Sequence, residues 1–243
     1  MATTPQTMKA WVVTRNGAPR DALALRTDLP VPAPPTGANI TIKIAYAALN
    51  PADVAFLSLI PSWLPFRRSA TPGLDFAGEV VAAGPAVPAD LAVGTQVCGA
   101  LGVAQVAFGT GSLAEYVVVP AHLVVAVPRG LGLDAAAGLH GVAGQTASLV
   151  MDAANVQPGQ QVLVNGASGG VGSLLIQTLK ATGAVVTAVC SGENEALVRR
   201  LGADEVGSAS SPLIVLGRSP MSGHKLQGHR LSVRSPRHDL QRR

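Results

Sequence analysis

The amino-acid sequence predicts an α/β protein in two parts, a compact antiparallel β domain followed by a parallel βαβ unit. Three observations predict it. Short β-rich runs divided by Pro and Gly fill about the first 125 residues; from Leu131 the texture turns Ala-rich and helical; and "VLVNGASGGVG", Val162 to Gly172, sets a Gly turn between a strand and a helix.

The 243 residues hold 48% apolar side chains and only 13% charged ones, enough apolar material for a sizeable buried core. The chain reads as globular. Its net charge of +4 resides in one place, because residues 207–243 carry seven Lys and Arg against one acid, Asp239, leaving eleven basic and thirteen acidic side chains before them. The sequence pI of 9.5 therefore describes the tail, and no nucleic-acid partner is expected of the folded part. Cys98 and Cys190 stand far apart, which argues against a disulfide framework or a Cys-rich zinc lobe. No apolar run reaches the roughly 18 to 20 residues needed to span a bilayer, and the first residues resemble no targeting segment, so the expectation is a cytoplasmic protein without a membrane partner.

The elements follow in order. "MKAWVVT" reads as a strand, "DLPVPAPPTGA" as a Pro-rich connection, and "NITIKIAYAAL" as a period-two strand that "NPAD" breaks. "GLDFAGEVVAAG", "GTQVCGAL" and "GSLAEYVVVPAHLVVAVP" add three more β pieces. "LDAAAGLHGVAGQTASLVMDAANV" then reads as a helix, N-capped by Asp134 and interrupted near Gly141 and Gly144. After "VLVN" and the Gly turn, "GSLLIQTLKATG" makes an amphipathic helix with Leu174, Leu175, Thr178 and Leu179 on one face and Gly183 as its stop. "AVVTAVC" is a buried parallel strand, and "ENEALVRRLGADEV" a second helix stopped by Gly202. A third strand due at Val206 is not expected to develop, since residues 207–243 scatter Ser, Gly, Pro, Arg and His without period and read as disordered.

The Gly turn admits two chemistries. Gly166-Ala167-Ser168-Gly169-Gly170 fits G-x-S-x-G, a strained elbow presenting a nucleophilic serine, with Asp204 and then His224, His229 or His238 in the right chain order. Those histidines lie in the segment least able to hold a catalytic geometry. Ala167-Ser168-Gly169-Gly170-Val171-Gly172 fits a dinucleotide loop in which Gly169 admits the pyrophosphate to the helix N-terminus and Gly172 lets the helix pack close to the strand. The alternative is a tight turn that binds nothing. At the end of the following strand, Cys190-Ser191-Gly192 lacks the acid that would grip an NAD ribose, which favours NADPH over NADH, although Glu193 follows at once.

Together "LNPAD", "TPGLDFAGEVVAAG", "GQTA", "PGQQVLVNGASGGVG" and "RRLGADEV" resemble the quinone oxidoreductase (zeta-crystallin-like) branch of the medium-chain dehydrogenase/reductase superfamily, over Met8 to Val206. The resemblance implies a chaperonin-10-like β-barrel over residues 1–126, an incomplete Rossmann domain over 127–206 and a divergent tail over 207–243. It also implies NADPH-dependent hydride transfer to a quinone or an enone. Carried over by motif, Asn50 and Asp53 would line the site near the nicotinamide, with Tyr46 toward the substrate. Thr146, Ala167, Ser168, Gly169, Gly170, Val171, Gly172 and Ser191 would bind the cofactor. Turn formation around Pro51 is the other reading of Asn50 and Asp53. Zinc-dependent relatives carry G-H-E where this chain has Gly73-Leu74-Asp75, and His122 and His140 lack ligand spacing, so no metal is expected. The family's homodimer edge and later strands would lie beyond Gly207, where the composition break suggests a shifted frame or an altered splice junction. A non-catalytic remnant, or a binding module with a basic Ser/Arg tail, is the alternative function.

Overall fold

Alternating burial along Thr7–Val13 (β1) turns Ala10 and Val12 inward, and β1 pairs antiparallel with Leu23–Pro30 (β2) after the short helix Pro19–Ala22 (α1). The computed structural model describes residues 5–64, 67 and 69–208. By packing they form two units, one ending at Asp152 and one beginning at Ala153. Residues 127–152 thus pack with the first unit, whereas the sequence-based division falls after residue 126.

The main sheet of the first unit is built from Asn39–Ala48 (β3), Asp75–Ala83 (β4), Gln96–Ala100 (β5), Tyr116–Pro120 (β6) and Val124–Ala126 (β7), in the order β6-β3-β4-β5-β7 and antiparallel throughout. Period-two alternation on β3 sends Ile40 and Ile42 into a core with Phe76, Val80, Val97 and Val119. That burial stabilises the unit by roughly 1.5–3 kcal/mol per large side chain. "NPAD" ends β3 as expected, but by opening a helix, Pro51–Leu59 (α2), with Pro51 at its first position. A short helix, Val103–Ala107 (α3), follows β5. β2 is an addition to the expected elements: its Pro30 is tolerated because it closes the strand.

The long Ala-rich helix is two helices, Leu133–Leu139 (α4) and Val142–Ala154 (α5), broken at His140-Gly141 as the glycines suggest. Asp134 is not the N-cap. Gly132 holds that place, and Asp134 falls in the first turn, where a carboxylate still favours the helix dipole. Ala136 and Ala137 of α4 pack on Ala77 and Cys98, residues small enough to bring helix and sheet into close contact.

The second unit is a parallel sheet of Gln161–Asn165 (β8), Val185–Cys190 (β9) and Glu205–Ser208 (β10), in the order β10-β9-β8. Gly170–Ala181 (α6) crosses from β8 to β9, and Glu195–Arg200 (α7) from β9 to β10. α6 buries Ile176 and Leu179, with Leu174 and Leu175 only half-buried, and ends at the C-cap Thr182 followed by Gly183. The third strand does develop, contrary to the sequence expectation. Glu205 to Ser208 align with Thr187 to Cys190, so β9 is paired on both edges. Backbone pairing to β9 requires no apolar period in β10, which explains why pattern alone missed it. Of the segment read as a disordered tail, Gly207 and Ser208 belong to β10, and the rest lies outside the described residues. Among the described residues no helix is long and apolar enough to cross a membrane.

Candidate functional site

In the first unit, Pro51 fixes the start of α2 and leaves Asn50 as its N-cap in an extended conformation. Asp53, three residues on, reaches back so that its Oδ2 accepts the Asn50 backbone N–H at 2.7 Å. The Asn50 side chain does not close the usual reciprocal bond. Its Nδ2 donates instead to Oδ2 of Asp75 at 2.8 Å, and the Val142 backbone N–H at the start of α5 donates to both Asp75 oxygens at 3.0 Å. Asn50 and Asp53 are therefore brought together, in a cluster whose third member is Asp75 of Gly73-Leu74-Asp75.

Asp53 and Asp75 are both buried, at 5% and 1% exposure. Burial pushes both carboxyls above the ordinary range; the neighbouring charge of Asp75 raises Asp53 further, while the bonds from Asn50 and Val142 hold Asp75 back. Among the described residues Asp53 Oδ1 is buried without a hydrogen-bond partner. Tyr46 stands on β3 after a register irregularity, 51% exposed. Thr146 lies exposed on α5, its hydroxyl donating to the Val142 carbonyl at 2.6 Å. Leu74 is buried in the β core, His122 lies exposed in the 3-10 turn Ala121–Leu123, and His140 caps α4. Among the described residues no group of three or more His, Cys, Asp or Glu could hold a metal ion.

In the second unit, β8 runs into Gly166 at φ 69°, a left-handed turn that suits Gly, and Ala167 is fully buried with its N–H donating to the Val189 carbonyl at 3.0 Å. Gly169 is the N-cap of α6, and Gly169 and Gly170 are exposed. The first amides of α6 have no partners within the helix, and no side chain at Gly166, Gly169 or Gly170 obstructs them. Gly172 sits where a Cβ would run into the Gly166 carbonyl and the Ala167 backbone. Together these features leave unobstructed backbone N–H groups at the head of α6, the chemistry that suits an anionic phosphate, so the residues present fit a dinucleotide.

Ser168 is half-buried in the same turn, and the acid required by the serine reading is engaged elsewhere. Asp204 pairs with Lys180 at 2.7 Å and accepts the Val186 N–H at 2.7 Å, fastening α6 and β9 together. Its candidate histidine partners lie outside the described residues. At the end of β9, exposed Ser191 accepts from Asn194 Nδ2 at 2.8 Å and its Oγ lies 3.4 Å from Glu193 Oε1. The nearest basic side chain along α7, Arg199, is paired with Glu195 at 2.9 Å.

Residues 37–129 match the alcohol dehydrogenase GroES-like domain. The chain is 36% identical over 221 residues to a medium chain reductase, pydE, of an Acremonium species; the match covers 82% of this chain and 60% of that protein. It is 36% identical over 219 residues to the trans-enoyl reductase pgmF of Aspergillus terreus, covering 84% and 59%. Among solved structures, the quinone oxidoreductase from Coxiella burnetii superposes with a TM-score of 0.71 at 30% identity, over 82% of this chain and 62% of that one. The chain thus spans about 60% of the length of the relatives it matches. With the GroES-like sheet, the order β10-β9-β8 and the Gly turn at α6 all in agreement, the chain belongs to the quinone oxidoreductase and trans-enoyl reductase branch of the medium-chain dehydrogenase/reductase superfamily.

Proposed function

We propose that this chain serves NADPH-dependent reduction of a quinone or of an activated C=C bond in an enone or enoyl substrate, without zinc. The observation that carries the reading is the turn at the head of α6, where Gly166, Gly169 and Gly170 are exposed and carry no side chain. Backbone amides of Gly170, Val171 and Gly172 hold the pyrophosphate, with Ala167 and Ser168 shaping the turn and Gly169 leaving it open. The bound nicotinamide supplies the hydride. Asn50 and Asp53 contribute a fixed polar cluster for orientation, Thr146 an exposed hydroxyl, and Tyr46 an exposed phenol able to donate to a substrate carbonyl. Ser191, with no acid in its own place, supports NADPH over NADH, and Glu193 beside it tempers the preference. Cys98 and Cys190 are free and buried, which supports a reducing, cytoplasmic setting.

Titrating NADPH and NADH separately into the protein while following nicotinamide fluorescence tests the proposal. A saturable change below about 1 mM, the upper end of ordinary enzyme affinities, with NADPH the tighter, is the expected outcome. No change with either nucleotide at that concentration overturns it.

A further inference from the structure

Asp75 opens β4 almost wholly buried, and its carboxylate receives donors from two other elements of the first unit, Asn50 Nδ2 ahead of α2 and the Val142 N–H at the start of α5. An ionised carboxylate can only accept, so it dictates which end of the Asn50 carboxamide faces it. The nitrogen must turn toward Asp75. Oδ1 of Asn50, which accepts no hydrogen bond from the described residues, is left for a donor on a ligand. Gly141 keeps the place open, because a Cβ there would strike Oδ2, Cγ and Cβ of Asp75.

We propose that Asp75 is a positioning residue: it sets the polarity that Asn50 presents to a bound ligand, as an acceptor of an N–H or O–H group, and ties the start of α2 to the start of α5. The proposal rests on the reading above that Asn50 contacts the ligand. Its own geometry does not depend on which ligand that is.

Asp75→Asn separates this role from mere packing. The Val142 N–H still requires an oxygen, so the substituted amide must turn its nitrogen toward Asn50. Asn50 must then rotate, pointing Oδ1 inward and Nδ2 outward. Shape is kept and polarity inverted.

The test uses the full chain with 15N-labelled asparagine, the Asn50 side-chain resonance being identified by its loss in Asn50→Ser. In the unsubstituted protein one Asn50 Nδ2 proton should exchange with water about 10-fold or more slowly than those of exposed asparagines. That protection should vanish in Asp75→Asn while the backbone spectrum stays dispersed. If Asp75→Asn does not fold, Gly141→Ala carries the same test, since it keeps the acid and displaces it. Where the protein reduces a quinone, Asp75→Asn should lower kcat about 10-fold and leave the NADPH Kd within about 3-fold. Rapid exchange at Asn50 in the unsubstituted protein, or protection unchanged in the variants, overturns the proposal. Absence of NADPH binding in the unsubstituted protein counts against the cofactor reading alone, and the exchange measurement still decides the role of Asp75.

Discussion

Single atoms decide whether the turn at α6 works. The added carbon in Gly172→Ala would sit against the Gly166 carbonyl, 2.7 Å from Ala167 Cα and 2.9 Å from Ala167 C, all backbone that cannot rotate away. Either α6 moves off β8 or the turn opens. Overpacking of this kind costs about 1–3 kcal/mol. The variant should therefore melt at a lower temperature by circular dichroism and bind NADPH at least about 10-fold more weakly. Unchanged melting together with unchanged affinity would refute the close packing seen at this position. Ser168 teaches the complementary lesson about motifs. Five residues of G-x-S-x-G are satisfied, yet the acid in the correct chain order, Asp204, is held by Lys180 and the Val186 amide. A motif names residue types, and only the partners of its acid reveal whether that acid is free.

Elements meet at the buried carboxyls, where the ends of β3, α2, β4 and α5 converge. Because burial raises the folded pKa of Asp53 and Asp75 above the unfolded value of about 3.9, the folded state holds more protons than the unfolded one between those values. These two groups therefore favour folding in acid, and stability falls as pH rises from the unfolded pKa through the raised ones. Asp204 has the opposite sign, since its hydrogen bond from Lys180 lowers its pKa and its contribution is lost as pH falls through the folded value. Asp53→Asn removes one buried ionisation, so its melting temperature relative to the unsubstituted protein should rise between pH 4 and pH 7. A difference that stays flat or falls would contradict the assignment. Most of these elements could be read in the sequence, since Pro, Gly and the change of hydrophobic period mark β3, α2, α6 and β9 directly. Asp75 could not. Its signal is split between an acid opening an apolar strand and a helix, α5, that begins after Gly141 without a capping side chain of its own. The two halves lie 67 residues apart. β10 was missed for a related reason, because a four-residue strand held by ladder bonds to β9 has no pattern to display.

Charge is a property of the whole molecule, and here it is divided along the chain. The first 206 residues carry eleven basic and thirteen acidic side chains, whereas residues 207–243 carry seven basic ones and Asp239. Within the described part, many of the charges are paired locally, as in Arg26–Asp28, Lys180–Asp204 and Arg199–Glu195. Such pairs leave little net field at distances beyond the Debye length, about 10 Å at 0.1 M salt. The attraction of the molecule for a polyanion should therefore come from the last residues alone and be released by salt, as counterion exchange requires. On immobilised heparin at about 0.05 M salt the full chain should be retained and then elute as salt rises, while a chain ending at Ser208 should pass through. That shortened chain should also bind NADPH as the full chain does, since every residue assigned to the cofactor precedes it. Equal retention of the two chains would place a basic face within residues 1–208, which the count of eleven against thirteen does not predict.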